Sequence, residues 1–224
     1  DYLALSGFAT LHGRALAVAQ GIQLANPELS VFSSVGDGDT IGEGLEHLIF
    51  AAKRNADITA LVHNNGVYAL TTGQVTPMSE RGARGPSTPM GNPEDPLNAL
   101  ALMLEAGATF VARGYAGKVE HLADLIVRAI EHEGFSFVEI LQPCVSFNNT
   151  YEKYNKSTEV MQEPPATYDD AVRAVKRRDK LPLGVFYEVK KKPYHLDVQG
   201  DRNPAKQRIP RDERIARVRK LLEI

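Results

Sequence analysis

The sequence contains little cysteine and no tryptophan: among its 224 residues there is one thiol, Cys144. A single cysteine cannot form an intramolecular disulfide, so a disulfide-stapled secreted scaffold is excluded and the cytoplasm is the expected compartment. No apolar run approaches the roughly 18 to 20 residues that a membrane-spanning helix needs, so no membrane association is expected. With 26 basic and 28 acidic residues the formal charge is −2, which gives no positive field for binding nucleic acid.

The remaining composition is that of a globular protein. Hydrophobic residues make up 43% of the sequence and charged residues 24%, which supplies enough apolar material for a folded core. A chain of this length can form one large α/β domain or a core with an appendage. Because it begins with Asp1 and no basic-then-apolar leader follows, we expect a part of a longer chain.

Hydrophobic periodicity predicts alternating strands and helices in the first two-thirds of the chain. Strands are expected at 29–35, 57–63, 108–112 and 135–141, and helices at 11–25, 40–54, 96–107 and 118–132. This order is typical of a mostly parallel sheet flanked by helices. The stretch 71–96 is rich in Gly, Pro, Ser and Thr, and its length favours a loop or lid that belongs to a site.

The character of the sequence changes beyond Cys144. A polar stretch at 148–165 precedes a basic helix at 169–178, a strand at 183–189, a charged segment at 193–211 and a final helix at 211–224. We therefore divide the chain into an α/β domain, residues 1–149, and a carboxy-terminal extension, residues 150–224. The extension is expected to pack on the core or on a partner subunit.

The clearest chemical signal is a pair of short motifs that each follow a predicted strand. Gly36-Asp37-Gly38 comes after the first strand, and Asn64-Asn65 comes after the second, one helix later. A right-handed crossover brings the carboxyl ends of parallel strands to one edge of a sheet, so Asp37 and Asn65 are expected side by side. A carboxylate and an amide oxygen suit Mg²⁺, which prefers oxygen ligands and often shares them with phosphates.

The glycines beside Asp37 also suit a diphosphate. Gly36 and Gly38 allow backbone N–H groups to approach an anion closely, and the helix expected to open near Thr40 points its positive end at the same place. Taken alone, Gly-Asp-Gly after a strand is more often a tight turn or a helix cap. The Asn-Asn motif and the similarities described next favour a diphosphate and metal cradle.

Together the two motifs resemble the thiamine diphosphate motif, in which Gly-Asp-Gly is followed by Asn-Asn. The flanking residues are similar, in order and spacing, to the β subunit of 2-oxoacid:ferredoxin oxidoreductases. The similarity covers about two-thirds of the chain, and so many short matches are far more specific than one glycine motif. It is carried mainly by Leu11-His12-Gly13-Arg14-Ala15, Gly36-Asp37-Gly38-Asp39, Ala51-Ala52-Lys53-Arg54-Asn55, Asn65-Gly66-Val67-Tyr68 and Gln142-Pro143-Cys144.

The resemblance implies a thiamine diphosphate-binding α/β fold and a set of site residues. Mg²⁺ would be held by Asp37, Asn65 and the carbonyl group of Val67, and His12 would lie beside the cofactor as the catalytic candidate. The diphosphate and its surroundings would be contacted by Gly36, Gly38, Asp39, Asn64, Ala69 and Leu70.

The resemblance also implies the reaction and its partners. A 2-oxo acid, either 2-oxoglutarate or pyruvate, would be decarboxylated oxidatively in the presence of coenzyme A, giving acyl-CoA and CO₂. Electrons would pass through a 4Fe-4S cluster to ferredoxin. The carboxylate that activates the cofactor is expected on a partner, the alpha or alpha/gamma subunit, so the active unit would be at least a heterodimer.

The sequence differs from the family pattern in two features, its cysteines and residue Thr72. Its members carry three further cysteines before the His-Gly-Arg segment, and these are missing from the sequence. The resemblance makes Cys144 the fourth ligand of the iron-sulfur cluster, although a lone cysteine after a buried strand is ordinarily a small core residue. Thr72 stands where some members have lysine on the substrate side, so the choice between pyruvate and 2-oxoglutarate stays open.

Two other functions remain possible at this point. One is a non-redox thiamine diphosphate-dependent decarboxylase or lyase, which would need no electron acceptor. The other is a non-catalytic α/β binding subunit. His47 is either a structural residue or a site contact. The run Lys190-Lys191-Lys192 is expected to be an exposed strand end rather than a contact for an acidic ferredoxin.

Overall fold

The computed structural model describes residues 4–177 and 179–222, and its central feature is a six-stranded sheet. The strands lie in the order β1-β2-β4-β3-β6-β5. Strands β1 to β4 are parallel, β6 runs antiparallel to β3, and β5 is parallel to β6. The expected mostly parallel sheet is therefore confirmed. The strand bounds are β1 Phe32–Gly36, β2 Thr59–Asn64, β3 Phe110–Tyr115, β4 Ser136–Leu141, β5 Thr158–Val160 and β6 Leu181–Glu188.

Eight α-helices accompany these strands in the described residues. Helices α1, α2, α3 and α6 contribute to the large core cluster on one face of the sheet, which includes Leu16, Leu48, Met103 and Val175. Helix α4 covers the other face with Leu125 and Ala129. The helix bounds are α1 Ala15–Ala25, α2 Leu45–Arg54, α3 Ala99–Ala106, α4 Val119–Glu131, α5 Tyr151–Ser157, α6 Tyr168–Val175, α7 Tyr194–Gln199 and α8 Arg211–Leu222.

The alternation of side chains along each strand explains why both faces need helices. In β4, Phe137 belongs to the cluster on the α1 side, whereas Val138 and Ile140 belong to the cluster under α4. Successive residues of a strand point to opposite faces, so a strand that is buried on both faces must be covered twice. Burial of each such side chain contributes about 1.5 to 3 kcal/mol.

The expected helix at 40–54 is divided in the structure. A π-helical turn, Gly38–Glu43, comes first, and α2 begins only at Leu45. Gly44 lies between them with a non-helical ψ of 21°. A Cβ atom at this position would lie 2.6 Å from the carbonyl oxygen of Gly13, so the close approach requires glycine. Gly13 itself has a φ of +72°, which stops the helix expected at 11–25 from starting before Ala15.

The segment 65–98 contains no helix and no strand, which confirms the loop expected at 71–96.

The carboxy-terminal elements pack on the rest of the sheet and on α1. Strand β6 pairs with β3, and α7 contacts α1 through the buried side chains of His195 and Gln23, 3.0 Å apart. The proposed division of the chain at residue 149 stays a prediction. None of the helices in residues 4–177 and 179–222 is long and apolar enough to cross a membrane.

Candidate functional site

The two motifs meet at the carboxyl edge of the sheet. Strand β1 ends at Gly36 and β2 at Asn64, and the two strands are parallel neighbours in which Gly36 lies opposite His63. The next residues, Asp37 and Asn65, are consequently side by side: the backbone N–H of Asn65 donates to Oδ1 of Asp37 at 3.3 Å. The topology rule therefore placed this pair correctly.

Asp37 is a buried carboxylate, with only 1% of its surface exposed. Its Oδ2 accepts a 2.5 Å hydrogen bond from the hydroxyl of Thr76. Burial raises the pKa of Asp37, and the hydrogen bonds from Thr76 and from the backbone of Asn65 counteract part of that rise. No basic side chain in the described parts of the chain forms an ion pair with Asp37, so the site favours binding of a cation.

An Asx turn shapes the chain after β2. The side-chain oxygen of Asn65 accepts a 2.9 Å hydrogen bond from the N–H of Val67, and the carbonyl of Asn65 accepts one of 2.8 Å from the amide of Asn148. Residues 65–67 are thereby held next to Asp37. An amide oxygen has two lone pairs, so Oδ1 of Asn65 retains the capacity to bind a metal ion.

The ring of Tyr68 packs against the glycines of the first motif. Its hydroxyl donates to the carbonyl of Gly38 at 3.1 Å. A Cβ atom at Gly42 would lie 2.3 Å from the same hydroxyl, whereas a Cβ at Gly36 would meet nothing within 4 Å. Gly38 and Gly42 thus leave room for tyrosine, and the open space beside Gly36 is where an anion could approach the strand end.

His12 and Asp39 lie together on the outer side of the motif. Oδ1 of Asp39 accepts a hydrogen bond from the N–H of Gly13 at 2.7 Å and lies 3.2 Å from Nδ1 of His12. The His12 side chain is 70% exposed. His47, by contrast, is near Glu46, with 3.5 Å between Nε2 and the carboxylate.

Ala69, Leu70 and Thr72 form a projecting turn after Tyr68. The N–H of Thr72 donates to the carbonyl of Ala69 at 3.1 Å, and Leu70 is 92% exposed. Thr72 has a φ of +75°. A β-branched residue in this left-handed region is strained by about 1 to 3 kcal/mol, and such strain is concentrated at functional sites.

Asn64 faces a different partner from Asn65. Its amide donates to Oε1 of Glu139 at 2.8 Å, and Oε2 of Glu139 accepts a 2.7 Å hydrogen bond from Nε of Arg113. All three residues are buried and line a cavity of about 760 Å³. This ion pair was not predicted from the sequence, although a charged residue inside each of two mostly apolar strands was a visible signal.

Cys144 lies in a tight loop just beyond β4. Its backbone exchanges two hydrogen bonds with Asn148, of 3.1 and 2.9 Å, and the residue is half-buried. In the described residues there is no group of three or more His, Cys, Asp or Glu side chains that could hold a metal ion. A cluster bound at Cys144 would therefore need ligands from elsewhere.

The residues at the strand edge fit a metal ion and a diphosphate. Asp37 is a buried carboxylate with no cationic partner in the described chain, and open space lies beside Gly36. The hydroxyl of Thr40, in the π-helical turn, is buried without a hydrogen-bond partner among the described residues. A divalent cation would satisfy the carboxylate, and an anion bound there would lie at the positive end of the helical turn.

Comparison with known families agrees with this geometry. The family described as "Thiamine pyrophosphate enzyme, C-terminal TPP binding domain" matches residues 1–140. A second family, the C-terminal region of the pyruvate ferredoxin oxidoreductase beta subunit, matches residues 144–201. The first match spans more than half of the chain. The chain therefore belongs to the thiamine pyrophosphate enzyme family, and its fold is that of the C-terminal TPP-binding domain.

Individual relatives narrow the assignment. The chain is 39% identical over 237 residues to a "2-oxoacid:ferredoxin oxidoreductase subunit beta" of Sulfolobus sp, covering 96% of this chain and 78% of the relative. It is 45% identical over 148 residues to the "2-oxoglutarate oxidoreductase subunit KorB" of Mycobacterium tuberculosis, covering 66% of this chain and 40% of the relative. The chain belongs to the β-subunit family of the 2-oxoacid:ferredoxin oxidoreductases, which confirms the resemblance found in the sequence.

A solved structure supports the same family. The 2-oxoglutarate:ferredoxin oxidoreductase from Magnetococcus marinus, described with 2-oxoglutarate, coenzyme A and succinyl-CoA bound, superposes with a TM-score of 0.84 at 35% identity. The similarity covers 92% of this chain and 73% of that one. The homologues are subunits of oxidoreductase complexes, so other subunits of the same enzyme are implied for this chain as well.

Proposed function

We propose that the chain supplies the thiamine diphosphate and Mg²⁺ site of an enzyme that converts a 2-oxo acid and coenzyme A to acyl-CoA and CO₂. Two electrons leave the substrate and pass through a 4Fe-4S cluster to ferredoxin. The observation that carries this proposal is the contact between Asp37 and Asn65 at the ends of adjacent parallel strands. Family membership supports the reaction class.

Asp37, Asn65 and the carbonyl of Val67 would hold the metal ion. Support comes from the buried carboxylate of Asp37, which forms no ion pair with a basic side chain of the described residues, and from the Asx turn that keeps Asn65 and Val67 beside it. Bound thiamine diphosphate would supply the carbon nucleophile that decarboxylation of a 2-oxo acid requires. The contacts to its diphosphate and surroundings would come from Gly36, Gly38, Asp39, Asn64, Ala69 and Leu70.

His12 would contact the bound cofactor or the substrate. Its Nδ1 lies 3.2 Å from the carboxylate of Asp39, so Nε2 is the ring nitrogen that would contact a ligand. The imidazole is mostly exposed, so a substrate can reach it. A histidine held in this way can transfer a proton at Nε2.

Thr72 would contact the distal end of the 2-oxo acid. Its projecting turn and its strained backbone support a role in substrate selection. The relatives' names include both general 2-oxoacid and 2-oxoglutarate enzymes, and we keep 2-oxoglutarate and pyruvate as the candidate substrates.

Cys144 would bind one corner of the 4Fe-4S cluster, with the other thiolates contributed from outside these 224 residues.

The assembled enzyme would contain an alpha, or alpha and gamma, partner and would work in the cytoplasm. The site described here has residues for the metal and the diphosphate, whereas activation of the cofactor's aminopyrimidine needs a further carboxylate from that partner. An isolated chain that is monomeric and oxidises a 2-oxo acid in the presence of coenzyme A would contradict this heteromeric arrangement.

The test is ferredoxin reduction by the assembled enzyme with 2-oxoglutarate or pyruvate, with and without coenzyme A. The proposal predicts reduction that requires the oxo acid, coenzyme A, thiamine diphosphate and Mg²⁺, and its loss in Asp37→Ala. Release of CO₂ that needs neither coenzyme A nor an electron acceptor would instead establish a non-redox decarboxylase. Thiamine diphosphate binding without turnover of any 2-oxo acid would indicate a non-catalytic subunit.

A further inference from the structure

A threonine from the long segment 65–98 reaches the carboxylate at the centre of the site. Thr76 is 39 positions from Asp37 in the sequence, yet its hydroxyl lies 2.5 Å from Oδ2 of Asp37, and the two residues are 4% and 1% exposed. The other carboxylate oxygen, Oδ1, accepts from the N–H of Asn65. The two oxygens of Asp37 are therefore held by two different parts of the chain.

The hydroxyl of Thr76 takes part in two hydrogen bonds. It accepts from the N–H of Met78 at 3.2 Å, and it donates its proton to Asp37, because an ionised carboxylate can only accept. Charge-assisted hydrogen bonds of this kind are short and about twice as strong as neutral ones.

Thr76 is itself anchored by buried polar groups. Its N–H donates to the hydroxyl of Ser79 at 2.8 Å, and that hydroxyl donates to the carbonyl of Gly66 at 2.6 Å. The amide of Asn92 donates to the carbonyl of Ser79 at 3.2 Å. The chain around Thr76 is thus connected on one side to the residue after Asn65 and on the other to Asn92, near the end of the long segment.

We propose that Thr76 is a positioning residue for the metal site, and that ordering of residues 76–92 is coupled to binding of the metal and the diphosphate. The inference rests on the proposed function of Asp37 as a metal ligand. Without the hydroxyl of Thr76, backbone N–H groups of Asn65, Asp37 and Gly38 would be left to hold the carboxylate, which could then rotate away from the metal. Residues that orient a metal ligand typically contribute about 10- to 100-fold to metal affinity.

The first test measures binding of Mn²⁺ by EPR, in the presence of thiamine diphosphate, to the assembled enzyme. Thr76→Val keeps the shape but removes the hydroxyl, and it should weaken Mn²⁺ binding roughly 10- to 100-fold. Thr76→Ser keeps the hydroxyl and should bind close to wild type. Thr59→Val is the matched control, because Thr59 is also 4% exposed and its hydroxyl donates to the carbonyl of Ala129. Thr59 is the first residue of β2, at the end away from Asn64.

Unchanged Mn²⁺ affinity in Thr76→Val would overturn the inference, and so would an equal loss in Thr76→Ser and Thr76→Val. A loss as large in Thr59→Val would show that removal of any buried hydroxyl has this effect, and would also overturn it. Wild-type protein that fails to bind Mn²⁺ with thiamine diphosphate would refute the metal site itself, a result distinct from the others.

The second test needs no variant and measures the coupling. The N–H of Gly82 donates to the carbonyl of Asn92, and the N–H of Asn92 to the carbonyl of Ala83, both at 2.8 Å. If ligand binding is coupled to the structure of residues 76–92, then binding of the metal and the diphosphate must stabilise those residues, because the coupling free energy is reciprocal. Mn²⁺ with thiamine diphosphate should therefore slow hydrogen exchange at these two amides in wild type. Unchanged exchange at both amides under saturating ligand would refute the coupling.

Discussion

The ring of Tyr68 occupies the space into which a side chain at Gly38 would extend. A Cβ atom at Gly38 would lie 2.4 Å from Cε1 of Tyr68, far inside contact distance. The hydroxyl of the same ring donates to the carbonyl of Gly38. The second glycine of the motif is thus required by a tyrosine that joins the β1 loop to the β2 loop, whatever its role in binding an anion.

This contact predicts that substitution of the two glycines of the motif changes the free energy of unfolding by different amounts. Gly38→Ala should lower the free energy of unfolding by about 1 to 3 kcal/mol, because the added methyl group must displace Tyr68. Gly36→Ala should change it by less than about 1 kcal/mol, since a Cβ there meets nothing within 4 Å. Chemical denaturation of the ligand-free protein measures both, and equal destabilisation by the two substitutions would contradict the account.

The buried pair of Arg113 and Glu139 supports a second prediction. Arg113→Met leaves the charge of Glu139 uncompensated in the core and should cost about 3 to 5 kcal/mol of stability. Adding Glu139→Gln removes that charge and keeps an oxygen to accept from Asn64, so the double variant should recover most of the loss. A double-mutant cycle by urea denaturation tests this, and additive losses would exclude coupling between the two side chains.

The order of strands and helices could be predicted because the signals are local. The run 135–141 is mostly apolar and contains the β-branched residues Val138 and Ile140, and a strand forms there as β4 Ser136–Leu141. The adjacency of Asp37 and Asn65 was also predictable, since it follows from the handedness of a strand-helix-strand crossover. Both features depend on residues close in sequence or on a general topological rule.

Other features depend on tertiary contacts that no periodicity reveals. Thr76 meets Asp37 from a segment without helix or strand, where buried hydrogen bonds to Ser79 and Asn92 fix the backbone. Arg113 and Glu139 become neighbours because β3 and β4 pair in a register that sets these two residues opposite each other. Chain order suggests which strands are adjacent but not their register, so the pair was missed although each residue was conspicuous.

Thr72 offers a test of strain and specificity at one position. Thr72→Gly should raise the free energy of unfolding by about 1 kcal/mol, because glycine adopts a φ of +75° without steric cost.

Thr72→Lys should favour 2-oxoglutarate over pyruvate by about 1 to 3 kcal/mol in relative kcat/KM, through attraction of the distal carboxylate.

The matched control for Thr72→Lys is Ser87→Lys, which adds the same charge at an exposed position of the same segment. It should leave the substrate preference unchanged. Equal kcat/KM ratios in Thr72→Lys and wild type would reject the role of Thr72 in substrate selection.

Substitution of Cys144 should affect the iron-sulfur cluster and leave thiamine diphosphate binding intact. Cys144→Ala should reduce the iron content and the cluster EPR signal of the assembled enzyme and block electron transfer to ferredoxin. Thiamine diphosphate binding should be retained, because Asp37 and Asn65 are untouched. An unchanged EPR signal in the variant would assign Cys144 to an ordinary packing role.

The most direct test of the account is calorimetric titration of thiamine diphosphate into the assembled enzyme, with and without Mg²⁺. We predict binding that requires the divalent ion and is abolished in Asp37→Ala, because the buried carboxylate is the charged ligand at the site. Asp124→Ala removes the same charge from an exposed position on α4 and should bind as wild type does. Metal-independent binding, or wild-type affinity in Asp37→Ala, would contradict the central claim.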